Sequence, residues 1–260
     1  MTAAAIEGLV QERHGSVLVL RIDRPEARNA LNGAVLRGLG AAASDAEADP
    51  EIRAIVLIGT GDRAFCSGMD LRAFAAGEDI GTDTEAGAAY GRLCQGKLTV
   101  PVIGAANGSA VGGGLELLLG ADIIVASSEA KLGLPEVKRG LFPAGGGTSI
   151  GTRIPVGAAL EMTLTGDPIT AQRGYELGLV NAVVEPGKVL DTALDYAQRI
   201  AANAPLGLAA TKELVRSSLT DPEYASERLG HWQSLVFSSD DAKEGAAAFM
   251  EKRAPAWQGR

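Results

Sequence analysis

The chain has 260 residues, 46% of them hydrophobic, with a formal net charge of −8, an isoelectric point near 4.9 and a mean hydropathy of +0.11. That length and apolar share fit one large domain or two unequal ones around a sizeable core, and so acidic a chain is not a sequence-independent nucleic-acid binder. Two cysteines are too few for a disulfide framework, no basic-then-apolar leader opens the sequence, and no uncharged apolar run reaches the roughly 18 residues of a membrane span. The expectation is a soluble cytoplasmic protein with no nucleic-acid or membrane partner.

In chain order, Ile6–Arg13 and Val17–Ile22 flank His14-Gly15 and read as a β-hairpin. Asn32 is placed to cap a helix running to Ala48, which Asp49-Pro50 would stop. The β-branched run Ile52–Ile58 reads as a buried strand, and Gly59–Leu71, rich in small and polar residues, as a loop. Thr84–Lys97 has helical spacing, and Val100–Ala105 reads as a strand. Glycines 112–114 then open an apolar helix, followed by the strand Asp122–Ala126. Such alternation is that of an α/β layered fold. Strand signals stop near Asn181–Glu185, whereas Val189–Ala202, Leu206–Ser217, Pro222–Ser238 and Asp241–Lys252 are helical. A boundary near residue 200 divides an α/β core, 1–200, that holds the active site from a helical region, 201–260.

The first chemical signal is the run 107–116, Asn-Gly-Ser-Ala-Val-Gly-Gly-Gly-Leu-Glu. Glycines let a ligand approach backbone N–H groups closely, and a helix start aims those groups outward with about half a positive charge behind them. Glu116 lies among Leu115, Leu117, Leu118 and Leu119, in dry surroundings that disfavour its charged form. A second cluster, from Leu134 to Thr148, again joins an acid, Glu136, to a Gly-Gly-Gly loop. Glu136 follows Glu116 by 20 residues, across one strand, a spacing that lets both carboxyls face a common site. Two carboxyls in one pocket titrate at different pH values, so one can donate a proton while the other accepts. Alone, either acid would be an ordinary first-turn helix partner. The glycines beside both favour chemistry.

Within Arg63–Leu71, Gly68 can turn the Met69 N–H toward a ligand, and with an N–H from Gly112–Gly114 this makes a two-donor oxyanion hole. Other chemistries fit less well. Gly147-Thr-Ser149-Ile-Gly151 matches a nucleophile elbow, but no apolar strand precedes it and only His14 and His231 could act as base. There is no dinucleotide or P-loop glycine motif, and two histidines without clustered cysteines give no metal site. Cys66 reads as a small buried filler.

These motifs together resemble the crotonase superfamily, the enoyl-CoA hydratase/isomerase family, along nearly the whole chain. The resemblance starts at Arg24-Pro-Glu-Ala-Arg-Asn-Ala-Leu31 and runs through Ala64-Phe-Cys-Ser-Gly-Met-Asp70, the 107–116 run and Leu132-Gly-Leu-Pro-Glu136. It ends with Gly166–Asn181 and Glu244–Arg253. It implies an α/β crotonase-like spiral of ββα units, with C-terminal helices that build homotrimers or dimers of trimers. It also implies an acyl-CoA thioester substrate, coenzyme A arriving as part of that substrate and no separate cofactor. By position, the amides of Met69 and Gly113 match the family's oxyanion hole, and Glu116 and Glu136 its catalytic acids. Arg28 matches a position near the CoA phosphates, and Lys252 one that reaches CoA from a neighbouring subunit. Ala64, Ser67, Gly68 and Gly112, which fall within the matched motifs, and Leu71 and Ala144, which lie outside them, are expected to contact the substrate.

Having both acids favours hydration of a 2-enoyl-CoA to a 3-hydroxyacyl-CoA. The alternatives are enoyl-CoA isomerisation, dehydration of a hydroxyacyl-CoA, or a non-catalytic acyl-CoA-binding role. One departure stands out: hydratases commonly read Pro-Gly-Ala-Gly-Gly where this chain reads Pro143-Ala-Gly-Gly-Gly147, so the Ala144 methyl is expected near the attacking water. Phe74, Tyr90, Leu93, Leu141 and Phe142 are expected to shape the acyl pocket, with Ala75–Gly87 as a mobile wall.

Overall fold

The computed structural model describes residues 6–78 and 83–260. Strands β1 (Leu9–His14) and β2 (Val17–Ile22) form the expected hairpin, with Leu9 opposite Ile22 and His14 opposite Val17. Helix α1 (Gly33–Ala48) follows, and the Asn32 side chain caps it by accepting from the Val35 amide at 3.0 Å. Strand β3 (Ala54–Gly59) then lies parallel to β2.

From here the chain winds in a repeating order. Each turn lays one strand in a large sheet, a short one in a second sheet, and then a helix. The first turn is β3, β4 (Ala64–Cys66), α2 (Leu71–Ala75) and α3 (Glu85–Cys94). The next is β5 (Val102–Ala106), β6 (Ser109–Val111) and α4 (Gly113–Gly120). The third is β7 (Ile123–Ser127), β8 (Lys131–Gly133) and α5 (Val156–Thr165). Strand β9 (Ile169–Thr170), α6 (Ala171–Glu176) and β10 (Ala182–Val184) close the spiral. The six-stranded sheet runs β1-β2-β3-β5-β7-β10, and the four-stranded one β4-β6-β8-β9. Every step of the large sheet beyond the hairpin is parallel, so both of its faces need cover.

The side chains of β3 alternate accordingly. Ile55 and Leu57 enter one core with Leu36 and Leu39 of α1 and Leu117 and Leu118 of α4. Val56 and Ile58 enter a second core on the opposite face, with Ala193 and Ala197 of α7 (Val189–Ala201). Three more helices follow, α8 (Pro205–Thr220), α9 (Pro222–Ser238) and α10 (Asp240–Glu251). Helix α8 is tied to the sheet by Lys212 Nζ, 2.8 Å from Asp122 Oδ2 and 3.0 Å from the Val100 carbonyl. The segment after α10 folds back, and Trp257 Nε1 donates to the Ala202 carbonyl at 2.7 Å. Among the described residues, no helix is long and apolar enough to cross a membrane.

Some elements differ from the sequence reading. The expected loop Gly59–Leu71 contains β4, and the glycine cluster is preceded by β6. Both strands are three residues long and exist through pairing with each other, β6 pairing also with β8. Glu116 and Glu136 are therefore separated by two strands, β7 and β8, rather than one.

Candidate active site

The second sheet aims its strand ends at one point. Strand β6 ends at Val111, Gly112 turns with φ +57°, and Gly113 begins α4. Beside it, the segment after β4 turns at Gly68 with φ +92°. A side-chain carbon built on Gly113 would lie 3.5 Å from the Met69 nitrogen, so the two amides are neighbours. Neither N–H has an acceptor among the described residues. Met69 itself is bridged to Leu31: the Leu31 N–H donates to the Gly68 carbonyl at 2.8 Å, and the Asp70 N–H to the Leu31 carbonyl at 2.9 Å.

Glu116 stands one turn into α4 and is 7% exposed. Its Oε1 accepts from the amides of Gly145 at 2.8 Å and Gly147 at 3.0 Å. Burial raises its pKa, the Glu136 charge adds to that, and the two amides oppose both. A methyl at position 145 would come 2.6 Å from Glu116 Oε2, so the carboxylate would have to shift from this contact.

Glu136 opens a 3-10 turn, Glu136–Arg139, after β8. Its Oε1 lies 3.2 Å from where a methyl on Gly112 would sit, which puts it over the start of α4. Its Oε2 is buried without a hydrogen-bond partner. Burial raises this pKa too, opposed by its own backbone amide and the Arg139 charge. The two acids thus differ in what they are offered. Glu116 receives two N–H donors, which favour the charged form, whereas an unpartnered buried oxygen on Glu136 favours a proton.

The remaining predicted residues spread more widely. Ala64 is buried in β4, and Ser67 donates its N–H to the Arg28 carbonyl at 3.1 Å. Arg28 adopts φ +53° and is exposed, so its backbone braces this loop while its side chain is free to meet solvent. Gly68 and Gly112 adjoin the amide pair, and Leu71 is exposed at the start of α2. Ala144 is exposed on the glycine loop, and the amides that engage Glu116 are those of residues 145 and 147 instead. Lys252 is exposed at the end of α10, which packs on α9.

Of the expected acyl-pocket residues, Leu93 is wholly buried in the core and cannot line a pocket. It faces inward because α3 presses it against α1 and α4. Tyr90 is half-buried, and Leu141 and Phe142 are exposed beside the glycine loop. The Phe74 side chain and residues 79–82 of the expected wall lie outside the described residues. Burial pushes the Cys66 thiol up to about 12, which leaves it inert as a nucleophile. Sequence reasoning missed the Gly145 and Gly147 amides as partners of Glu116. The Gly-Gly-Gly run was their only signal, and it names no partner.

A pair of free amides beside a buried and a half-buried carboxyl, of which only the first is given amide donors, could stabilise an oxyanion while moving a proton on and off carbon. The comparisons with known proteins agree with that chemistry. The family model described as "Enoyl-CoA hydratase/isomerase" matches residues 12–260. The carnitinyl-CoA dehydratase of Proteus mirabilis (strain HI4320) is 40% identical over 252 residues, covering 95% of this chain and 96% of that protein. The crystal structure of an enoyl-CoA hydratase from Mycobacterium tuberculosis H37Rv superposes with a TM-score of 0.90 at 42% identity, covering 97% of this chain and 99% of that one. A carnitinyl-CoA hydratase from Mycobacterium avium gives a TM-score of 0.78 at 42% identity, covering 98% and 99%. The α/β spiral is thus the crotonase fold, and the chain is an enzyme that belongs to the enoyl-CoA hydratase/isomerase family.

Proposed function

We propose that this protein catalyses the reversible addition of water to a 2-enoyl-CoA thioester, giving a 3-hydroxyacyl-CoA. The observation that carries the reading is the contrast between the acids: Glu116 accepts two amide N–H groups, while Glu136 Oε2 is buried with none. Glu116 is the base. It takes a proton from water as the water oxygen bonds to C3, the C2–C3 π pair becomes the C1–C2 double bond, and the carbonyl π pair moves onto the thioester oxygen as an enolate. The amides of Met69 and Gly113 receive that charge, where preorganised donors are worth most because they need no rearrangement. Glu136 then gives its proton to C2, the enolate pair forms the C2–H bond, and the carbonyl returns. Proton exchange with solvent resets the pair.

The relatives include one named a carnitinyl-CoA dehydratase and one named a carnitinyl-CoA hydratase, and water addition to an enoyl thioester is reversible. Dehydration of a hydroxyacyl-CoA is thus the same reading run backward. Ala64, Ser67, Gly68, Leu71, Gly112 and Ala144 contact the thioester and its pantetheine arm in this reading, with Arg28 near the CoA phosphates. The functional unit is a homotrimer or a dimer of trimers, in which Lys252 reaches the CoA of a neighbour. Residues 1–200 form the core that holds the site, and 201–260 serve association.

The test is loss of conjugated enoyl absorbance when purified protein meets short and medium 2-enoyl-CoA substrates, with product masses read across chain lengths and branching. Glu136→Gln should nearly abolish turnover without unfolding the protein. Wild-type-like turnover in both Glu116→Gln and Glu136→Gln overturns the assignment. Conversion of 3-enoyl-CoA substrates without net water addition makes the enzyme an isomerase, and tight thioester binding with no turnover makes it a binder.

A further inference from the structure

Met69 lies between two residues that are strapped to Leu31, and the strap itself is locked from outside the site. In a parallel bridge the bonded groups alternate, so bonds at Gly68 C=O and Asp70 N–H leave the Met69 N–H facing away from Leu31, with the Met69 nitrogen beside Gly113. The Asp70 side chain then closes the bracket. Its Oδ2 pairs with Arg24 Nη2 at 3.0 Å, and its Oδ1 accepts from the amides of Arg72 at 3.1 Å and Ala73 at 3.4 Å. The same guanidinium donates through Nη1 to the Ala30 carbonyl at 2.6 Å, next to Leu31. One planar fork therefore joins both sides of the bridge that aims Met69. Arg24 and Asp70 side chains are 20% and 16% exposed, so water screens this pair weakly.

Its other end is equally fixed. The Asn29 Oδ1 accepts from the Arg24 amide at 3.1 Å, and the Asn29 Nδ2 donates to the Ala64 carbonyl at 2.7 Å in β4. No atom of Arg24 or Asp70 bonds to either glutamate or to the Gly113 amide.

We propose that Arg24 and Asp70 are positioning residues for this reaction: their ion pair sets the direction of the Met69 N–H and so the strength of one of the two oxyanion donors. The inference rests on the donor-pair reading of Met69 and Gly113. It also carries a charge effect of definite sign. Removing Arg24 frees the Asp70 carboxylate one residue from the donor, where it opposes a developing enolate, whereas Asp70→Asn keeps an acceptor for Arg24 without that charge.

The test uses a conjugated 2,4-dienoyl-CoA as the bound probe, because its absorption moves to longer wavelength as the thioester carbonyl is polarised. Wild-type protein should show that red shift. Arg24→Met should lose most of it, and kcat for a 2-enoyl-CoA should fall about 10- to 100-fold, as small misplacements of a catalytic donor do, with little change in KM. Asp70→Asn should retain more of both than Arg24→Met. Arg24→Lys, which keeps the charge but not the fork, should fall between wild type and Arg24→Met, and it decides the matter should Arg24→Met fail to fold by far-UV circular dichroism. A wild-type red shift preserved in folded Arg24→Met, or in Arg24→Lys, overturns the bracket alone. A wild-type complex with no red shift overturns the donor-pair reading beneath it.

Discussion

At the scale of single residues, Glu116 is held by a loop in which an added carbon at position 145 would force its carboxylate to move. Gly145 presses its backbone against Glu116 so closely that a methyl would lie 2.6 Å from Oε2. Gly145→Ala is therefore expected to push the carboxylate off its two amides. Misplacing a catalytic group by about 1 Å can cost roughly 100-fold in rate, so kcat should fall on that order while KM for the CoA thioester stays near wild type. Steady-state kinetics beside a melting curve check this, since a drop in kcat with an unchanged melting temperature separates displacement from unfolding. This contact is separate from the Ala144 methyl, which the sequence places near the attacking water rather than against Glu116. Burial of Glu116 makes a further prediction. Its pKa is raised in the folded state by burial and by the Glu136 charge. The folded protein thus binds more protons than the unfolded chain above the ordinary carboxylate pKa. Stability must fall as pH rises through the window from that value up to the raised one. Glu116→Gln should melt higher than wild type at pH 8, and the gap should close as the pH falls below the ordinary carboxylate value.

At the scale of elements, helix α4 is fastened at both ends. Its first turn meets the glycine loop, and its last carbonyls are capped by cations from two other elements. Arg153 Nη1 donates to the Leu119 and Ala121 carbonyls at 3.1 and 2.9 Å, and Arg216 Nη2 to those of Gly120 and Ala121 at 3.1 and 2.9 Å. Cations belong at that end of a helix, where the backbone dipole is negative. Asp122 ties the group together, accepting from Lys212, Arg216 and the Val102 amide. Lys212 is only 8% exposed, so removing Asp122 strands a buried ammonium. Asp122→Ala should cost about 3–5 kcal/mol by denaturant unfolding, the range for breaking one side of a buried ion pair. Long helices such as α1 and α7 to α10 were legible in the sequence because apolar periodicity and caps such as Asn32 are local signals. Strands β4, β6 and β8 were not, since each spans three residues whose only support is a partner far along the chain. The acids and amide donors could be named from motifs, but the Arg24–Asp70 bracket could not. Its residues are 46 positions apart, and although each stands at one end of a matched motif, neither motif says that the two pair.

At the scale of the whole molecule, the C-terminal helices carry more apolar surface than one chain can cover. Phe249 and Met250 are adjacent on α10 and are 83% and 80% exposed, while Phe237 at the end of α9 and Leu164 at the end of α5 are exposed as well. Single exposed apolar residues are ordinary, but consecutive large ones on a helix mark a surface made for a partner. Lys252 follows two residues later, so whatever covers Met250 also determines where that ammonium goes. In the trimer proposed for this enzyme, the covering surface is another copy of the chain, and Lys252 would be delivered to that copy's substrate. Light scattering during size-exclusion chromatography should find the wild-type protein as a trimer or hexamer. Phe249→Asp with Met250→Asp should shift it toward monomer, because two desolvated carboxylates at an interface cost far more than the contact returns. If Lys252 reaches CoA across that interface, the dissociated variant should bind the thioester more weakly, and Lys252→Ala in the intact oligomer should raise KM in the same direction with little change in kcat. A wild-type protein that stays monomeric at micromolar concentration would leave α10 bare and remove the route by which Lys252 could act. Its KM should then be indifferent to Lys252→Ala.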